Sequence, residues 1–174
     1  MPDDLRANAL LMSRLEQVRG WAAVALGLVT DVSDARTKSP NIPRVIMIAP
    51  PASYKGVGGR VVATADADIC VRQLAMQRPH KALAVTGAVC TAVACSVPNS
   101  IVAQVIGKPL EDIRLGHPSG VLRVASKVSK GPDGAPVIES AQIERTARVI
   151  MDGTIFVRRQ KIAALVAAVK VETS

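Results

Sequence analysis

The stretch "HKALAVTGAVCTAVA", His80 to Ala94, sets two threonines, a glycine and a thiol where a short apolar run passes into a helical pattern. If Val85-Thr86 ends a strand and a helix opens at Gly87, the first amide N–H groups of that helix lack intrahelical partners and converge on one spot, with the helix dipole adding positive potential. Such a spot attracts a carboxylate. Gly87 and Ala88 would let the ligand approach the backbone, Thr86 could cap the helix or offer a hydroxyl, Val89 belongs to the same binding stretch, and Cys90 lies one turn in, where a dipole can favour the thiolate. From pattern alone the residues fit better a purely structural reading, with Cys90 a small buried hydrophobe and Thr86 only a cap.

A second cluster is "LGHPSG", Leu115 to Gly120, which interrupts a long strand-like run. Glycine and proline inside a strand mark a bulge or the close approach of a ligand, so His117, Ser119 and Gly120 would be presented at a kink. A bend in a coiled sheet with His117 solvated is the alternative. Other constellations carry less. Asp112 is on the same strand as His117 and nothing fixes it as the acid of a Ser/His/Asp set. Asp66 and Asp68 read as a helix cap and a solvated face, Cys70 and Cys95 as core. With two histidines, His80 and His117, and no C-x-x-C pair, no metal site is expected.

The elements that must position these residues follow from pattern. The 174 residues suit one domain. Acidic Asp3 and Asp4 precede a helix expected over Leu5 to Leu26, and "TDVSDARTKSPNIP" reads as an exposed connection. "RVIMIAPP" reads as a buried strand stopped by prolines, and "ASYKGVGGR" as a flexible turn whose glycines match neither phosphate-binding fingerprint. Asp66 is expected to cap a helix through Met76, ended by Pro79. The next helix, from near Gly87 to the turn before Pro98, is apolar on every side and so expected to be buried all round. "SIVAQVI", "DIRLGHPSGVLRVASKVS" and "PVIESAQIERTARVIMDGTIFV" read as strands of an antiparallel meander, separated by "GKPLE" and "GPDG". The fold class is α+β, a curved and mostly antiparallel sheet wrapped around a central apolar helix.

Composition narrows the partners. Aromatic residues make up 2% (Trp21, Tyr54, Phe156), too few for base-stacking platforms. The net charge of +8 is scattered, densest at Arg158, Arg159 and Lys161, which fits a small carboxylate ligand better than nucleic acid. The longest apolar run, Ile162 to Val169, is far below the roughly 20 residues of a membrane span. Three cysteines, Cys70, Cys90 and Cys95, cannot all pair, and the polar opening Met1-Pro-Asp-Asp-Leu-Arg is unlike a secretory leader, so a cytoplasmic setting is expected.

"ADADICVRQLAMQRPHKALAVTGAVCTAVA", "IRLGHPSGVLRV" and "ERTARVIMDGTIFV", with "MSRLEQVRGWAAVALGLVTDV" and "PRVIMIAPPASY", together resemble the C-terminal half of the PrpF family of methylaconitate cis-trans isomerases, methylitaconate isomerases and 4-oxalomesaconate tautomerases. The resemblance runs from about Leu10 to Val157. It implies a diaminopimelate epimerase-like domain over 1–157, a cleft at the helix mouth, and a proton shift across an allylic system in an unsaturated polycarboxylate without metal or cofactor. Thr86 to Cys90 would grip a substrate carboxylate and the His117–Gly120 segment would supply a neighbouring loop. The catalytic lysine and cysteine of the family belong to an N-terminal domain that these residues do not match, so the catalytic groups are unassigned here, Cys90 being one candidate. The basic and apolar tail 158–174 departs from the family. Two roles follow: one half of an isomerase, completed by a separate N-terminal-half chain or by a homodimer, or a non-catalytic truncated half that binds a carboxylate or a partner.

Overall fold

The computed structural model describes residues 1–144, 147–154, 156 and 158. In chain order the elements are α1 (Pro2–Ala7), α2 (Ala9–Ala25), α3 (Ala35–Lys38), β1 (Ile46–Ala49), β2 (Tyr54–Lys55), β3 (Val61–Val62), β4 (Ile69–Ala75), β5 (Arg78–Pro79), α4 (Val85–Cys95), α5 (Ile101–Ile106), β6 (Asp112–His117), β7 (Gly120–Lys130) and β8 (Pro136–Ile143). All lie in a first unit, residues 1–144, and residues 145–174 form a second. Residues 147–154 have no regular element, so the expected last strand stops at Ile143. Apart from Arg158, the tail 158–174 lies outside the described residues.

The main sheet runs β1-β4-β6-β7-β8, with β5 also on β4. Every pair in it is antiparallel except β4–β6, which is parallel through Ile69↔Leu115 and Cys70↔Gly116. Alternation places Ile69 and Val71 of β4, Ile113 and Leu115 of β6 and Val124 of β7 in one core with Ala88, Ala92 and Cys95 of α4 and Val102 of α5. The α+β architecture with a mostly antiparallel sheet is therefore the observed one.

Several elements differ from expectation for identifiable reasons. Ile69–Ala75 is the most buried strand of the sheet, not a helix. Asp66 caps only a 3₁₀ turn, Thr64–Asp66, by accepting the Ala63 N–H at 2.8 Å, and "ICVRQL" then alternates faces as a strand does. Ile101–Ile106 is a helix, because Ser100 Oγ accepts the Ala103 N–H at 3.0 Å and Gly107 closes the far end at φ +76°. Here the caps outweigh the β-branched run between them. The long N-terminal helix breaks at Asn8, whose Oδ1 accepts the Leu11 N–H at 3.0 Å and starts α2 afresh. The connection after Val29 is partly structured: Asp31 caps a 3₁₀ turn, α3 follows, and Val29 and Ala35 pack against Ala23. Strand β1 is half-buried at the sheet edge, and "ASYKGVGGR" forms most of the β2–β3 hairpin.

Candidate functional site

Helix α4 begins at Val85, two residues earlier than expected, with Ala84 as its N-cap. Val85-Thr86 is thus the first turn of the helix, and Thr86 is not its cap. No strand runs directly into it: β5 ends at Pro79 and the loop His80–Ala84 leads to the mouth. By helix geometry the N–H groups of Val85, Thr86 and Gly87 lack intrahelical acceptors, while Ala88 N–H already bonds Ala84 O at 2.9 Å.

The helix is not buried all round. Gly87, Ala88, Thr91, Ala92 and Cys95 face the sheet, whereas Val85, Thr86 and Cys90 are exposed and Val89 is intermediate. A Cβ on Gly87 would stand 2.7 Å from Gln73 Oε1 and 3.1 Å from Ile46 Cδ1. Gly87 and the fully buried Ala88 therefore serve close packing of helix on sheet, and the open part of the mouth belongs to Thr86 and Cys90. Cys90 is solvent-exposed, which overturns its reading as a buried hydrophobe. Cys70 and Cys95 are core, and burial pushes the Cys95 thiol up.

The "GHPSG" segment is a hairpin turn, not a kink within one strand. β6 and β7 stay paired to His117↔Gly120, with Gly120 at φ +139°. The β2–β3 hairpin seats this turn. Tyr54 Oη reaches His117 O at 2.8 Å and Gly120 O at 3.1 Å, and Val57 N–H donates to Pro118 O at 2.6 Å. Ser119 Oγ donates to Lys81 O, which ties the turn to the loop entering α4. The structure thereby brings Ser119 and its neighbour His117 to the approach of the α4 mouth.

His117 is half-buried, not solvated. Burial, reinforced by the Arg72 guanidinium and His80, holds its imidazole below the ordinary histidine range. Its Nδ1 accepts the Ser119 N–H at 3.2 Å, so the neutral ring carries its proton on Nε2 and can donate from there. His80 Nδ1 accepts the Ala82 N–H at 3.0 Å in the same fashion.

Two residues of this neighbourhood, Arg72 and Gln73, escaped the sequence reading. Arg72 lies 4.5 Å over the Tyr54 ring and donates to Val71 O and Gly116 O, and Gln73 sits beneath the first turn of α4. Reading 69–75 as a strand would have put Arg72 and Gln73 on opposite faces and exposed the oddity of a polar residue in the core-facing row. The acids are engaged elsewhere. Asp68 is paired with Arg114, whose hydrogen bonds hold its carboxyl below the usual range, so it is not a free solvated face. Asp112 is paired with Arg123 and is not aimed at His117. Among the described residues no group of three or more His, Cys, Asp or Glu is clustered as metal ligands, and no helix is long and apolar enough to cross a membrane.

A sequence profile of the PrpF protein family matches residues 1–158. The chain is 34% identical over 164 residues to 3-methylitaconate isomerase of Eubacterium barkeri, a match covering 92% of this chain and 42% of that protein. It is 33% identical over 162 residues to 2-methyl-aconitate isomerase of Shewanella oneidensis, covering 92% of this chain and 40% of the other. A (4E)-oxalomesaconate Delta-isomerase of Novosphingobium is 34% identical over 158 residues, with 89% and 38% covered. The crystal structure of methylitaconate-delta-isomerase superposes with a TM-score of 0.71 at 30% identity, over 83% of this chain and 38% of that one. The chain spans about two-fifths of the length of these relatives.

Proposed function

Since this chain belongs to the PrpF family, we propose that it forms the carboxylate-gripping half of an isomerase cleft acting on an unsaturated di- or tricarboxylate. The observation that carries this reading is the Ser119–Lys81 hydrogen bond, which draws the His117–Gly120 turn to the mouth of α4. The free N–H groups of Val85, Thr86 and Gly87 would receive one substrate carboxylate, with the Thr86 hydroxyl beside them. The His117 Nε2–H, on a ring kept neutral, would donate to a second substrate oxygen without adding a competing charge. The reaction is a cofactor-independent allylic proton shift, as the family resemblance implies, and the setting is cytoplasmic.

The proton itself needs an acid and a base. Both histidines are oriented by backbone N–H groups on Nδ1, which suits them to donate hydrogen bonds. Cys90, exposed one turn into α4, is the remaining candidate at the mouth. A separate N-terminal-half chain or a second copy of this one would complete the cleft, residues 1–157 acting as the family-like domain and 158–174 as an appended tail. The donor arrangement of the histidines also favours a second reading, in which the chain binds the acid and turns nothing over.

The deciding experiment is NMR of the full chain with 3-methylitaconate in deuterated water. Binding should shift the Val85–Gly87 amides and His117, and Thr86→Phe should abolish those shifts without unfolding the chain, because Thr86 is exposed. Unchanged binding in that variant would remove the placement. Deuterium entering the allylic positions would favour the isomerase reading, and binding without exchange the second.

A further inference from the structure

Gln73 is a polar side chain in the core-facing row of β4, 1% exposed, between Val71 and the helix above. A buried amide is costly there unless it is used. Its Oε1 accepts the Ala84 N–H at 3.0 Å, and its backbone carbonyl accepts the His80 N–H at 2.8 Å. One residue therefore holds both ends of the loop His80–Ala84, whose middle supplies Lys81 O to Ser119.

The contact with Ala84 replaces a familiar local device. In a capping box the third helical residue, a Glu or Gln, reaches back to the N-cap N–H. In α4 that third residue is Gly87, which has no side chain, and the amide of Gln73 fills the space instead: a Gly87 Cβ would lie 2.7 Å from Oε1 and 3.1 Å from Cδ. The cap is supplied from the sheet, and the missing side chain makes room for it. Meanwhile Gln73 Nε2 is buried and has no hydrogen-bond partner. Being bonded to the same Cδ, it is the immediate neighbour of the oxygen that caps α4.

We infer that Gln73 is a positioning residue of the carboxylate site: it locks the mouth of α4 and its entry loop to β4 through Oε1, and keeps Nε2 as a donor for an acceptor arriving at that mouth. The ligand part of this inference rests on the proposed carboxylate site, whereas the lock does not. The two are separated by comparing Gln73→Met, which loses acceptor and donor, with Gln73→Glu, which keeps an acceptor for Ala84 N–H, loses the donor and adds negative charge.

Amide hydrogen exchange of the full chain reads the lock without any ligand. Gln73→Met should speed exchange at Ala84 by about tenfold, the loss of one hydrogen bond, while the core-strand amides of Ile113 and Val124 keep their protection. Gln73→Glu should restore Ala84 protection. Gly87→Ala should reproduce the Met phenotype by displacing the amide, and stands in if Gln73→Met does not fold. Ala84 protection unchanged in both Gln73→Met and Gly87→Ala overturns the lock. With 3-methylitaconate as probe, Gln73→Glu should weaken binding at least tenfold although the loop is intact; wild-type affinity in that variant overturns the donor role. If the wild-type chain binds no 3-methylitaconate at all, the carboxylate site is wrong and the donor role falls with it, while the exchange experiment still decides the lock.

Discussion

The turns His117-Pro118-Ser119-Gly120 and Gly131-Pro132-Asp133-Gly134 draw on similar residue types, and they end the same strand, β7. The second is closed by its own atoms: Gly131 N–H to Ala135 O at 2.8 Å, Gly134 N–H to Gly131 O at 2.9 Å and Ala135 N–H to Asp133 Oδ1 at 3.0 Å. The first has one internal contact, Ser119 N–H to His117 Nδ1 at 3.2 Å, and is otherwise held by other parts of the chain, through Tyr54, Val57 and Lys81. Turn chemistry alone reverses a chain; a turn that must present side chains to a site is anchored from outside.

The contrast is open to attack by substitution. Gly56→Ala drives a Cβ to 2.7 Å from Pro118 O and should cost about 2 kcal/mol in denaturant unfolding by overpacking. A neutral result would mean that the β2–β3 hairpin does not bear on the His117 turn. Tyr54→Phe removes the hydroxyl shared by two turn carbonyls and should cost about 1.5 kcal/mol, with exchange rising locally around His117. Gly134→Ala meets no neighbouring atom but forces φ +78° on a side chain, so about 1 kcal/mol is expected, confined to its own turn. Equal losses at Gly134 and Gly56 would erase the distinction.

The mildest test is pH. Because the folded-state pKa of His117 is depressed, the unfolded chain binds the proton more readily; the stability linked to this group is present above the unfolded histidine pKa and is lost as pH falls through the folded value. The unfolding midpoint of the wild type should decline from neutral toward acid more steeply than that of His117→Gln. Parallel curves would show that the turn leaves His117 solvated.

What could be read in advance follows the range of the interaction. The Gly-Pro-Asp-Gly turn, the presence of a helix ahead of Pro98 and the core placement of Cys70 and Cys95 rest on local chemistry, and they are as the residues suggest. β4 was obscured because Asp66 imitates a helix cap ahead of an apolar run, and α5 because Ile, Val and Ile outvoted Ser100 and Gly107. At the site, Thr86, Cys90, His117 and Ser119 stand out by type. Their assembly does not, since it runs through the carbonyls of Lys81, Pro118 and Gly120, and every residue has a carbonyl. Gln73 was hidden doubly, by a misassigned element and by a cap that sequence reasoning seeks three residues away rather than on another strand.

The parallel pair β4–β6 also sets an order in time. β6, β7 and β8 meet through short turns, while β4 reaches β6 only once residues 76–111, including both apolar helices, have been gathered between them. Closing that long excursion is the slow entropic step. In pulse-labelled refolding the amides of Ile113 and Val124 should become protected before that of Val71, and simultaneous protection would contradict this order. The mouth of α4, which hangs from β4, is then among the last parts of the protein to exist.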